Sequence, residues 1–93
     1  MNHTILIVKV NEDPIHLIYC NQEIIKIDVQ FPNLKKKNSN NKIRLILWGE
    51  HKNDFLRYYR IQDYLLIEGI ITVNDSKNYI EVNVKKLYPF FVE

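Results

Sequence analysis

The chain has 93 residues, 46% of them hydrophobic and 26% charged, with a formal net charge of +2. That length supports one modest core, so residues 1–93 are expected to form one domain, and the balance excludes a disordered chain. So small a charge excludes a molecule that attracts polyanions over its whole surface, and any nucleic-acid affinity must come from where the charges sit.

The lone cysteine, Cys20, has no partner for an internal disulfide and no Cys or His at ligand spacing, which points to a reducing compartment and to no zinc or other metal. The longest apolar runs, ILIV at 5–8 and LLI at 65–67, fall far below the ~18 residues of a spanning helix, so no membrane segment is expected. The N-terminus has the layout of neither a signal nor a transit peptide. Absence of alanine, with an excess of Ile, Asn and Lys, fits an AT-rich genome.

In chain order, TILIVKV (4–10) reads as a strand apolar on both faces, ended by NEDP, where Pro14 bars continuation. IHLIY (15–19) is expected as a hairpin return or bent extension before a CNQ turn. Strict alternation of Ile25, Ile27, Val29 and Phe31 against Lys26, Asp28 and Gln30 marks a half-buried strand. Residues 32–41, PNLKKKNSNN, lack periodicity and read as a long exposed basic loop. KIRLILW (42–48) is a strand closed by Gly49, and Phe55, Leu56 and Tyr59 are spaced for one short amphipathic helix. YLLIEGIITV (64–73) and YIEVNVKKL (79–87) are two more strands joined by a polar turn. The order β-β-β-α-β-β predicts an all-β chain with one helix: a five-stranded OB-fold Greek-key barrel, an architecture that binds oligonucleotides or oligosaccharides.

Alternation along 42–48 puts Ile43, Leu45 and Leu47 inside, leaving Trp48 outside with Ile46, Arg44 and Lys42. A tryptophan aligned with two cations suits base stacking with phosphate contacts; the alternatives are a tryptophan capping the barrel end or buried between subunits. Lys35, Lys36 and Lys37 either track phosphates or only keep the loop soluble. RYYR (57–60) also interleaves cations and rings, though the spacing places Tyr59 in the core. No phosphate-cradling glycine loop, nucleophile elbow or HExxH motif is present, and no catalytic residue or cofactor is expected.

The stretches NHTILIVKVNEDP, RLILWGEHKNDFLRYYRIQDYLLIEGIITV and NYIEVNV resemble, in order and spacing, the bacterial and organellar single-stranded-DNA-binding (SSB) family, and the whole is similar to the short SSB-like proteins encoded in plastid genomes. That resemblance implies an aromatic base-stacking role for Trp48 and a basic contact at Arg44. It also implies a homo-oligomer, dimer or tetramer, built through the first strand at Ile5, Leu6, Ile7 and Val8, and a plastid or bacterial-cytoplasmic setting. The chain departs from the family in having Lys42 where a tryptophan opens the third strand, and in lacking a tryptophan after the fourth strand and an acidic C-terminal tip. The tail at 88–93, with Tyr88, Phe90 and Phe91, is expected to pack on the barrel or a neighbouring subunit. The implied function is sequence-nonspecific single-stranded DNA binding in replication, repair or recombination, with RNA as a further ligand. The rival is an OB-fold subunit that binds protein in a replication or primosome-like complex.

Overall fold

The computed structural model describes residues 3–32, 42–74 and 79–90. Its elements are β1 (His3–Val10), β2 (Ile15–Tyr19), β3 (Gln22–Gln30), β4 (Lys42–Trp48), α1 (Gly49–Tyr58), β5 (Tyr64–Asn74) and β6 (Tyr79–Pro89). The six strands make one mixed sheet in the order β1-β5-β6-β4-β3-β2, antiparallel throughout except where β4 runs parallel to β6.

This corrects the expected five-stranded Greek-key barrel. IHLIY is a sixth strand in its own right, and the order is β-β-β-β-α-β-β. The sheet curls until β1 meets β3, but only Lys9↔Gln30 and Val10↔Val29 pair there, so the strands do not form the regular five-stranded cylinder that the element count implied. The physical reason lies at Pro14. β1 has already ended at Val10, Pro14 bars the connection from continuing it, and the chain resumes as a short strand that pairs with β3 alone and occupies the sheet edge.

Alternation explains what the curled sheet encloses. Val8 and Val10 of β1, Ile25, Ile27 and Val29 of β3, Ile43, Leu45 and Leu47 of β4, Leu65 and Ile67 of β5, and Val82 and Val84 of β6 are all buried. Phe55 of α1 closes this core and stacks on Tyr59, ring centroids 5.7 Å apart. Leu56, expected on the same buried face, is 44% exposed, because the helix presents a narrower apolar stripe than its spacing suggested. The two apolar faces of TILIVKV part company within the chain: Val8 faces the core, whereas Ile5 points outward at 64% exposure.

Three backbone positions fix the connections. Cys20 and Asn21, at φ +51 and +63, form the two-residue turn that joins β2 to β3, with Tyr19↔Gln22 as its closing pair. Gly49, at φ +53, turns the chain from β4 directly into α1 with no intervening residue. Past the helix, Gln62 adopts φ +81 while its N–H donates to the Val10 carbonyl at 2.9 Å, and Val10 N–H donates to the Asp63 carbonyl at 2.9 Å. The end of α1 is thereby tied to the end of β1.

Gly69 is required for a different reason. An extra residue on β6 shifts the register between Glu68 and Gly69, so that Glu68 pairs with Lys86 but Gly69 with Val84. A Cβ at 69 would lie 2.5 Å from the Asn83 carbonyl oxygen. The bulge also flips β6, which buries Val82 and Val84 before it and turns Leu87 inward after it. Gly69→Ala is expected to destabilise the fold by about 2 kcal/mol in denaturant unfolding, since backbone and not a flexible side chain must give way. Gln62→Gly is expected to raise stability by roughly 1 kcal/mol in the same assay, because it relieves a left-handed non-glycine residue.

Candidate nucleic-acid interface

β4 lies between β3 and β6, and its outward side chains form rows with theirs. Asp28 pairs across to Arg44 and Arg44 to Glu81; Lys26 pairs to Ile46 and Ile46 to Asn83; Ile24 pairs to Trp48. Trp48 therefore stands at one end of the outer face with Ile46 and Arg44, as alternation along β4 requires. The backbone of Lys42 opens the same strand. Lys35, Lys36 and Lys37 lie outside the described residues, as does the side chain of Lys42.

Trp48 is half-buried. Tyr19, exposed at the end of β2, meets it edge-on with centroids 6.0 Å apart and planes at 83°. Beside the indole is an open concavity of about 420 Å³ lined by Gln22, Glu23, Trp48, Gly49 and Lys52. The indole Nε1 is buried without a hydrogen-bond partner among the described residues, an arrangement that costs on the order of 1–3 kcal/mol. A tryptophan retained only as core filler would normally have that N–H matched. Tyr19 is a member of this site that sequence reasoning missed. The available signal was the CNQ turn, which brings the residue before it against the strand that follows.

The electrostatics of the face differ from what the basic residues alone suggest. Arg44 Nε donates to Asp28 Oδ1 at 2.8 Å, and Lys26 Nζ lies 3.5 Å from Glu81 Oε2. Two cations are thus matched by two carboxylates on one patch, each pair contributing about 1 kcal/mol or less. At the rim of the concavity, Lys52 Nζ donates to Glu23 at 3.0 Å. This hydrogen bond and the ammonium charge hold the Glu23 carboxyl below its usual range.

At the far end of the ten-residue helix, about 15 Å away along its axis, is a second aromatic concavity of about 420 Å³ lined by Tyr58, Tyr59, Asp63, Tyr64, Pro89 and Phe90. The RYYR segment divides there. Tyr58 is 65% exposed with the Arg57 guanidinium 5.9 Å from its ring centroid, whereas Tyr59 packs inward on Phe55. Burial and the nearby Asp54 and Asp63 carboxylates push the Tyr59 phenol up. Phe90 of the C-terminal tail lines this concavity and stays partly exposed, as does Tyr88 elsewhere on the surface, and Phe91 lies outside the described residues.

The first-strand residues divide as well. Val8 is core and Leu6 packs against it, so only Ile5 and the half-buried Ile7 face outward. β1 pairs with β5 from His3 to Lys9 and with β3 only at Lys9 and Val10, which leaves the rest of its other edge without a strand among the described residues.

Known structures share this architecture. The SSB domain of a Synechococcus protein superposes with a TM-score of 0.75 at 23% identity, over 95% of this chain and 94% of that one. PriB from Ralstonia solanacearum, at only 10% identity, gives a TM-score of 0.74 over 98% and 99% of the two chains, so the likeness is one of backbone path. In sequence, a Trieres chinensis protein, ycf41, provisionally designated single-stranded DNA-binding, is 28% identical over all of this chain and 92% of its own length. No family model matches the chain. The SSB-like resemblance drawn from the residues is thus met by a whole-chain relative and by the fold.

Lys52→Met should return the Glu23 carboxyl to the ordinary carboxylate range, read by NMR titration. The sign follows from the lowered folded value: the pair supports the fold above the unfolded carboxylate pKa, and that support fades as pH falls through the folded one. An unchanged Glu23 titration would mean that the contact is not populated in solution.

Proposed function

We propose that this chain binds single-stranded DNA without sequence preference, stacking bases on the Trp48–Tyr19 pair, in DNA replication, repair or recombination. The observation that carries the reading is the half-buried Trp48 at the end of β4, set edge-on to an exposed tyrosine beside an open concavity. The whole-chain likeness to ycf41 supports the same ligand and a plastid setting. Base–aromatic stacking contributes on the order of 1–3 kcal/mol per base and tolerates any sequence.

With Asp28 and Glu81 matching Arg44 and Lys26, the attraction to phosphate falls to Lys35, Lys36, Lys37 and Lys42. Self-association through the outward Ile5 and the open part of the β1 edge fits the same reading. The balanced charges also favour, as a second reading, an OB-fold subunit that docks protein on this face.

Titrating the protein with oligo-dT while following Trp48 fluorescence separates the two. Quenching that weakens as salt rises supports the strand binder; no change at low salt supports the protein-docking subunit. Trp48→Ala is expected to weaken binding by about 10- to 100-fold, and adding Lys35, Lys36 and Lys37→Ala should abolish it with the fold retained. Unaltered binding in the combined variant would remove the site assignment. Asp28→Asn should strengthen low-salt binding, because an anion leaves the phosphate path.

A further inference from the structure

We propose that β2 is a self-pairing edge, through which a second copy of this chain adds its own β2 antiparallel about a two-fold axis at Leu17. β2 pairs with β3 alone, and its Tyr19 ring also meets Trp48 of β4 edge-on. All five of its residues are exposed, with Ile15 at 50%, Leu17 at 39%, Ile18 at 77% and Tyr19 at 59%. Natural edges are usually blunted by lysine, proline, a bulge or a covering element. Within β2 none of these occurs, and its one polar residue is His16.

The register decides which backbone groups are open. A two-residue turn makes Tyr19↔Gln22 a hydrogen-bonded pair, so Tyr19, Leu17 and Ile15 direct their N–H and C=O groups toward β3. His16 and Ile18, at the alternate positions, direct theirs toward the open edge. A two-fold axis at Leu17 brings His16 of each copy opposite Ile18 of the other, and these two pairs exchange four backbone hydrogen bonds. Leu17 then faces its symmetry mate as a non-hydrogen-bonded pair, Cα atoms about 4.5 Å apart. Ile15 meets Tyr19 of the other copy, so the contacts on that face are apolar and no like charges meet.

A partner strand also finds side-chain room. His16, Leu17, Ile18, Glu23 and Ile24 line a concavity of about 430 Å³ along this edge. A two-fold axis closes the assembly at two copies through this edge, which explains why a second copy and not an open-ended stack is the fitting occupant.

The pairing deepens the proposed function and, in this one respect, rests on it. Trp48, Ile24 and Leu17 lie in a single cross-strand row on one face. An axis perpendicular to the sheet continues that row through the second copy on the same face, ending at its Trp48. Five inter-strand steps put the two indoles about 24 Å apart, a span of roughly seven stacked nucleotides. With five residues in the edge strand, the interface belongs to the small, weak class, so covalent trapping is the suitable measurement.

In a Cys20→Ser background without nucleic acid, Leu17→Cys is expected to form a disulfide-linked dimer at least tenfold faster than Ile15→Cys, and adding Ile18→Lys should slow it at least tenfold. A mixture of Ile15→Cys and Tyr19→Cys proteins should form the mixed dimer. Equal trapping at 15 and 17 would overturn the pairing, and that comparison decides even if the lysine variant fails to fold. Because no DNA is present, the result is independent of strand binding. Adding oligo-dT should accelerate trapping at 17, and no acceleration would overturn the shared row alone.

Discussion

Strand β4 is the constraint on which the rest of this structure depends. It is the central strand between β3 and β6, and its inward residues Ile43, Leu45 and Leu47 are buried to within 2% of complete. Sliding β4 by one residue would put Arg44 and Trp48 into the core and three aliphatic side chains outside, so the register is strongly fixed. That register in turn places Trp48 on the outer face, and the left-handed Gly49 immediately after it starts α1, whose Phe55 closes the core. Core closure and the outward tryptophan are thus two results of the same alternation.

The outer face is charge-balanced and not a bare basic patch. Arg44 and Lys26, which in isolation suggest a phosphate track, are matched across strands by Asp28 and Glu81. The aromatic component is correspondingly richer than one residue, since Tyr19 reaches Trp48 from the hairpin. In the function proposed above, such a surface holds bases by contact area, and attraction at a distance falls to lysines outside the patch. The β2 edge bears on the same surface, because Leu17, Ile24 and Trp48 share one row.

Much of this was legible from local pattern. The alternation of Ile25, Ile27 and Val29, the inward and outward faces of β4, the helix after Gly49 and the last two strands follow from periodicity and turn residues, because each reflects one element's own burial. IHLIY was legible as an apolar piece but not as an edge strand. Neither of its faces is buried, so it carries no amphipathic signal, and its role depends on β3 being beside it. Leu56 was misread for the converse reason: helical spacing names a face, but only the neighbouring strands determine how wide that face is.

The sequence by itself determined which residues share a side of each strand, where the chain turns, and that a lone tryptophan would stand outside with Arg44. These are local consequences of a two-residue period and of backbone preferences at Pro14 and Gly49. Only the tertiary structure decided that Asp28 and Glu81 neutralise the cations beside that tryptophan, that Tyr19 joins it, and that six strands curl with β1 meeting β3 over two residue pairs. The reason is that cross-strand neighbours are set by pairing between segments far apart in the chain, and no local pattern specifies which strand lies beside which.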